Sequence, residues 1–103
     1  MYKVCLVTAP NQEVARDLSR RLLEARLVAC VNLIPQITSL YWWQGQIQED
    51  GEILMVLKTI EGHVDSIVEL VRAHHPYTVP EVIALPIERG HSAYLDWIKE
   101  SCG

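Results

Sequence analysis

The period of the apolar positions changes along the chain, and the changes divide it into elements. Lys3-Val4-Cys5-Leu6-Val7 is a short continuous apolar run closed by Thr8-Ala9-Pro10, which predicts a strand buried on both faces. From Asn11 the spacing becomes helical. Val14, Ala15, Leu18, Leu22 and Ala25 fall on one side and Arg16, Asp17, Arg20 and Arg21 on the other, with Asn11 placed to cap and Glu13 in the first turn. Leu27 to Lys58 then reads as two β-rich runs flanking a short polar segment with Gly45, an antiparallel hairpin whose tip lies near Gln44 and Gly45. Pro35, inside the first arm, cannot donate to a ladder and predicts a bulge or an edge there. Between Glu61 and Ala73, Val64, Ile67, Val68 and Val71 recur at helical spacing, and Pro76 closes that helix with His74 near its last turn and His75 outside. Glu81 to Pro86 predicts a fourth strand, and Gly90 followed by Ser92 as cap starts a last helix carrying Tyr94, Leu95, Trp97 and Ile98.

The resulting order, β-α-β-β-α-β plus a terminal helix, is that of the ferredoxin-like α+β sandwich: a four-stranded antiparallel sheet with two helices on one face, here a single domain over residues 1–103. The hairpin is long for such a domain. Arms of about 12 to 14 residues span roughly 40 Å, against a radius of gyration of about 13 Å for a compact chain of this size. The hairpin therefore overhangs, and its tip carries Tyr41, Trp42 and Trp43. Exposed aromatics and open strand edges predict that another subunit covers the ribbon, with these three residues as oligomer contacts. A homotrimer, in which three sheets bury their uncovered faces around a threefold axis, satisfies this; a dimer satisfies it too.

Composition narrows the function classes. Nine Lys and Arg against thirteen Asp and Glu give a net charge of −4, so the basic footprint of a nucleic-acid or anionic-membrane binder is missing. The apolar runs are too short for a signal segment or a membrane span, which predicts a soluble, cytoplasmic protein. Cys5, Cys30 and Cys102 form no CxxC pair; the first two lie in apolar strands and are expected to be buried and inert, while Cys102 lies near an end expected to fray. No P-loop, GxGxxG, HExxH or GxSxG pattern is present, so there is no starting point for an enzyme.

Two groups of residues carry candidate chemistry. His74 and His75 are the metal candidates, because imidazole suits Cu(II), Ni(II) and Zn(II) and Cu(II) binds most tightly of the divalent first-row ions. Adjacent residues diverge on a helix or a strand, so both rings reach one ion only if the break at Pro76 turns the chain suitably; otherwise His74 is a helix-end cap. Lys58, Glu52, Tyr77 and Glu81 either line a polar cleft between subunits, where a small anionic ligand would be oriented, or are ordinary strand-end polar groups. His63 and His91 read as surface residues at helix starts.

Taken together, Thr8-Ala9-Pro10, Ala29-Cys30-Val31-Asn32-Leu33-Ile34-Pro35, Thr38-Ser39-Leu40-Tyr41-Trp42-Trp43-Gln44-Gly45, Lys58-Thr59, His75-Pro76-Tyr77, Val79-Pro80-Glu81 and Tyr94-Leu95-Asp96-Trp97 resemble the CutA family of divalent-cation-tolerance proteins nearly end to end. The resemblance implies a cytoplasmic trimer of ferredoxin-like subunits that binds copper and other divalent metals, with no established catalytic reaction. Some copper-binding members place a Cys directly before Thr-Ala-Pro together with a His-His pair. Here Val7 holds that position while His74 and His75 are present, so copper binding is expected to rest on imidazole and to be weaker. Besides a metal-binding trimer, a trimeric small-ligand sensor or scaffold using clefts between subunits is open as a second class of function.

Overall fold

The computed structural model describes residues 1–103. The elements are β1 (Tyr2–Ala9), α1 (Gln12–Glu24), β2 (Cys30–Trp43), β3 (Gln46–Ile60), a 3-10 turn (Glu61–His63), α2 (Val64–His74), β4 (Val82–Pro86) and α3 (Ser92–Cys102). The four strands form one antiparallel sheet in the order β2-β3-β1-β4, so the α+β reading of the sequence is borne out. β1 runs two residues further than its apolar run, because Thr8 and Ala9 still pair with Leu54 and Ile53 before Pro10 ends the ladder.

Side-chain alternation along the two central strands decides where the core sits. Cys5, Val7 and Ala9 of β1 and Ile53, Met55 and Leu57 of β3 point to one face, where Ala15, Leu18 and Leu22 of α1 and Ile67 and Val71 of α2 cover them. Asn11 caps α1 as expected, its Oδ1 accepting from the Val14 N–H at 2.9 Å. The intervening residues, Leu6, Leu54 and Val56, face the other side and are only half-buried; across the ladder from them, Ile34 and Ile83 are 45% and 50% exposed.

The hairpin behaves as its length requires. β2 and β3 have 14 and 15 residues, and the molecule measures 44 × 25 × 22 Å. At the tip Gln44 and Gly45 have φ of 50° and 77°, the left-handed pair of a two-residue type I′ connection, which glycine adopts without strain. Trp42 beside it is 72% exposed. The irregularity predicted at Pro35 is a bulge: Ile34 pairs with Leu54 and Ile37 with Glu52, so Pro35 and Gln36 stand opposite Ile53 alone, and Gln36 has φ of 60°.

Three expectations are corrected. Ser92 is the first residue inside α3 rather than its cap; His91 holds the cap position and no side chain makes a capping bond. Cys102 does not fray: it is 4% exposed, its Sγ donates to the Ile98 carbonyl at 3.2 Å, and its own carbonyl takes a hydrogen bond from His63. Arg26 Nη1 further pins the segment by donating to the Ser101 carbonyl at 3.1 Å. Cys30 is half-buried rather than buried, with Lys58 Nζ 4.0 Å from its sulfur. Burial also holds the Cys5 and Cys102 thiols above their ordinary pKa. Iodoacetamide is therefore expected to modify Cys30 about tenfold faster than Cys5 or Cys102. Peptide mapping that finds Cys102 modified first would mean that the α3 terminus opens in solution.

Candidate functional site

The bulge at Pro35 decides which aromatic residues meet which acids. Ladder partners share a sheet face, and one extra residue on β2 reverses the parity of everything beyond it. Past the bulge, the odd-numbered residues of β2 lie on the face of Glu52 and Asp50: Ile37 is opposite Glu52, Ser39 opposite Asp50, Tyr41 opposite Gln48 and Trp43 opposite Gln46. Tyr41 Oη accordingly donates to Asp50, one diagonal step away. This bond holds the exposed phenol above its ordinary pKa.

The segment between α2 and β4 closes the other side. Tyr77 Oη donates to Glu52 Oε2 at 2.8 Å, and Glu52 is 7% exposed. Burial, reinforced by that bond and the Glu52 charge, pushes the Tyr77 phenol far up, so it stays a neutral donor. Glu81 is also raised, first by desolvation and then by Glu52. Between these residues and the hairpin lies an open groove of about 860 Å³ that runs along Thr38 to Trp43 and past Tyr77, with Glu52 and Glu81 as its charged groups. Of the four residues the sequence suggested for a cleft, the structure thus brings together Glu52, Tyr77 and Glu81.

Lys58 is elsewhere. It sits six residues from Glu52 along β3, about 20 Å for an antiparallel strand, where its Nζ donates to Asn32 Oδ1 beside Cys30. Within one chain, therefore, no base lines the groove. The sequence reading passed over Asp50. Its signal was Pro35, since a bulge there carries Tyr41 to the face of the even-numbered residues of β3.

The two histidines part company at Pro76. His74, the last residue of α2, is exposed. His75 has extended backbone and is 8% exposed. Its Nδ1 accepts from the Tyr77 N–H at 3.1 Å, which puts the proton on Nε2, and Nε2 donates to the Thr8 carbonyl at 2.8 Å. Both nitrogens are thereby used in joining α2 to β1. The ring also packs on Tyr77, with centroids 4.6 Å apart. His75 thus acts as a clasp within the chain, and His74 is the exposed imidazole of the pair. Val7, the position of the missing thiol, is fully buried on the helix-covered face. No three His, Cys, Asp or Glu side chains of one chain stand together as a metal would require, so one chain alone does not fit a resident ion. No helix is long and apolar enough to cross a membrane.

Comparison with known proteins agrees with the geometry. The family model described as CutA1 divalent ion tolerance protein matches residues 3–101. The divalent-cation tolerance protein CutA of Thermus thermophilus is 50% identical over 103 residues, all of both chains, and its solved structure superposes with a TM-score of 0.97. The Archaeoglobus fulgidus structure, described as a periplasmic divalent cation tolerance protein CutA, is 42% identical over the full length of both chains, with a TM-score of 0.97. The mouse protein CutA is 54% identical over 94 residues, which are 91% of this chain and 53% of the mouse protein. On these grounds the chain belongs to the CutA1 divalent ion tolerance protein family.

Proposed function

We propose that this protein is a homotrimeric, cytoplasmic binder of divalent metal ions serving metal tolerance, with Cu(II) the favoured ion and no catalytic reaction. The observation that carries the assembly is the pairing of a half-bare sheet face with a projecting hairpin tipped by the 72% exposed Trp42. The strand order supports a ferredoxin-like sandwich, whose face away from α1 and α2 is the one available to neighbours. The family supports the metal. Since one chain brings no three ligands together, the ion is held by groups from more than one subunit, His74 being the exposed imidazole that each contributes.

The test is calorimetric titration of the chelator-treated protein with Cu(II) and Zn(II), combined with sedimentation. Cu(II) is expected to bind more tightly than Zn(II), and more weakly as pH falls, because imidazole must be unprotonated to coordinate. His74→Ala is expected to weaken Cu(II) about tenfold or more with the sedimentation coefficient unchanged. Undiminished binding in that variant would remove His74 from the site, and a monomer at micromolar concentration would remove the trimer. A second reading, a small-ligand sensor or scaffold, is favoured by the open groove that passes Glu52.

A further inference from the structure

We propose that Cys30 and Lys58 form a covalent modification site for peroxides, in which oxidation of the thiol by hydrogen peroxide closes a sulfur–nitrogen bond to the lysine amine and staples β2 to β3. The site is separate from the metal reading and does not depend on it. Cys30 and Lys58 are ladder partners, so their backbones are held about 4.5–5.5 Å apart. Lys58 Nζ stands 4.0 Å from the Cys30 sulfur and donates to Asn32 Oδ1, which also accepts from the Cys30 thiol at 3.7 Å. Both residues are half-buried. The side chain above them belongs to the same chain: α3 packs on β3, and burial first and Cys30 second hold the Tyr94 phenol above its ordinary pKa. An oxidant little larger than water needs no open groove to enter, so the site stands whether or not neighbours cover Ile34 and Ile83.

The surroundings select this thiol and its partner. Peroxide reacts with the thiolate, which an adjacent ammonium favours and burial disfavours. Cys5 and Cys102 are buried without such a neighbour, and burial raises both. Neither can close a disulfide with Cys30, because Cys5 lies in the core under α1 and α2 and Cys102 is about 12 Å along α3 from Tyr94. The nucleophile at hand is therefore Lys58. In the first step the Cys30 sulfur attacks one peroxide oxygen, the O–O bond breaks, and a sulfenic acid and one water form; sulfur gives up two electrons and the peroxide takes them. Sulfenic acids condense with a nearby nitrogen. Lys58 Nζ, its ammonium proton released to solvent, attacks the sulfur as the S–O bond breaks, and the departing hydroxide leaves as a second water with one amine proton. The chain has lost two hydrogen atoms. The remaining distance is closed by rotation of the four-carbon lysine stem, with the strands in place. A small thiol reverses the bond by attacking sulfur and expelling the amine, and a second thiol restores Cys30.

The test treats the chelator-treated protein with hydrogen peroxide at neutral pH and maps its peptides by mass spectrometry without a reducing agent. No Lys or Arg lies between Arg26 and Lys58, so a Glu-specific protease is used, whose cuts at Glu49 and Glu52 put Cys30 and Lys58 on separate peptides. The two peptides are expected to stay joined, lighter by two hydrogen atoms than their sum, and to part on adding dithiothreitol. Lys58→Arg keeps a positive charge beside the sulfur and removes the nucleophilic amine. It is expected to stop at the sulfenic acid, so that dimedone labels Cys30 about tenfold more than in the wild type. If that variant does not fold, the wild-type map decides alone. Cys30 unchanged by peroxide, or a map with no joined peptide and equal dimedone labelling of both proteins, would overturn the proposal. A Cys30 disulfide between copies, or a bond from Cys30 to a backbone nitrogen, would overturn the choice of partner, and oxidation of Cys5 or Cys102 ahead of Cys30 would overturn the choice of thiol.

Discussion

Ile83→Asp is expected to turn the proposed trimer into a folded monomer. Ile83 is on β4 opposite Leu6, on the sheet face without α1 and α2, and is already 50% exposed in the single chain. A charge there meets water in the monomer, where losing a half-buried Ile from a strand costs about 1–2 kcal/mol. In an assembly that buries this face, each subunit would carry an unpaired carboxylate out of water, at several kcal/mol apiece. The effect on the association constant is therefore large, on the order of a thousandfold or more. Sedimentation at micromolar concentration with circular dichroism on the same samples separates the outcomes. A variant still assembled like the wild type would mean that the trimer forms through another surface. Trp42→Ala with Trp43→Ala, at the hairpin tip, is the companion variant and is expected to weaken assembly and stability together.

His75→Ala is expected to destabilise the fold by about 2–4 kcal/mol, whereas His74→Ala stays within about 0.5 kcal/mol. The buried His75 ring satisfies the Thr8 carbonyl and the Tyr77 N–H at once. Alanine leaves both without a partner and opens space against the Tyr77 ring. The same loss frees the segment that carries Tyr77 to Glu52, so the groove loses its order along with the stability. Urea denaturation at fixed protein concentration is the measurement, because assembly ties apparent stability to concentration. Equal, small effects of the two substitutions would mean that the clasp is absent in solution and would return His75 to the metal candidates.

How legible each part was follows from the range of the interaction that makes it. The helices, the hairpin tip and the bulge depend on residues a few positions apart. Asn11 capping Val14, the Gln44-Gly45 turn and the interruption at Pro35 could all be read because backbone conformation and local hydrogen bonding are short-range. The apolar periods likewise told which face of α1 and of α2 is covered, but not of α3, where Tyr94 and Trp97 are exposed. The fate of particular side chains did not follow from spacing. His74 and His75 are neighbours in sequence, yet one ends a helix in solvent and the other is clasped to Thr8, 67 positions away. Cys102 looked free because it lies near an end, but Ile98, His63 and Arg26 fix that end by contacts the sequence does not announce. Lys58 and Glu52 share a strand whose length separates them. What the sequence determined by itself is the element order and the register-breaking bulge, both consequences of local sterics. Only the tertiary structure decided that Tyr77 reaches Glu52 and His75 reaches Thr8, because the return of the Tyr77 segment joins residues 25 and 67 positions apart, and burial then keeps the Tyr77 phenol neutral.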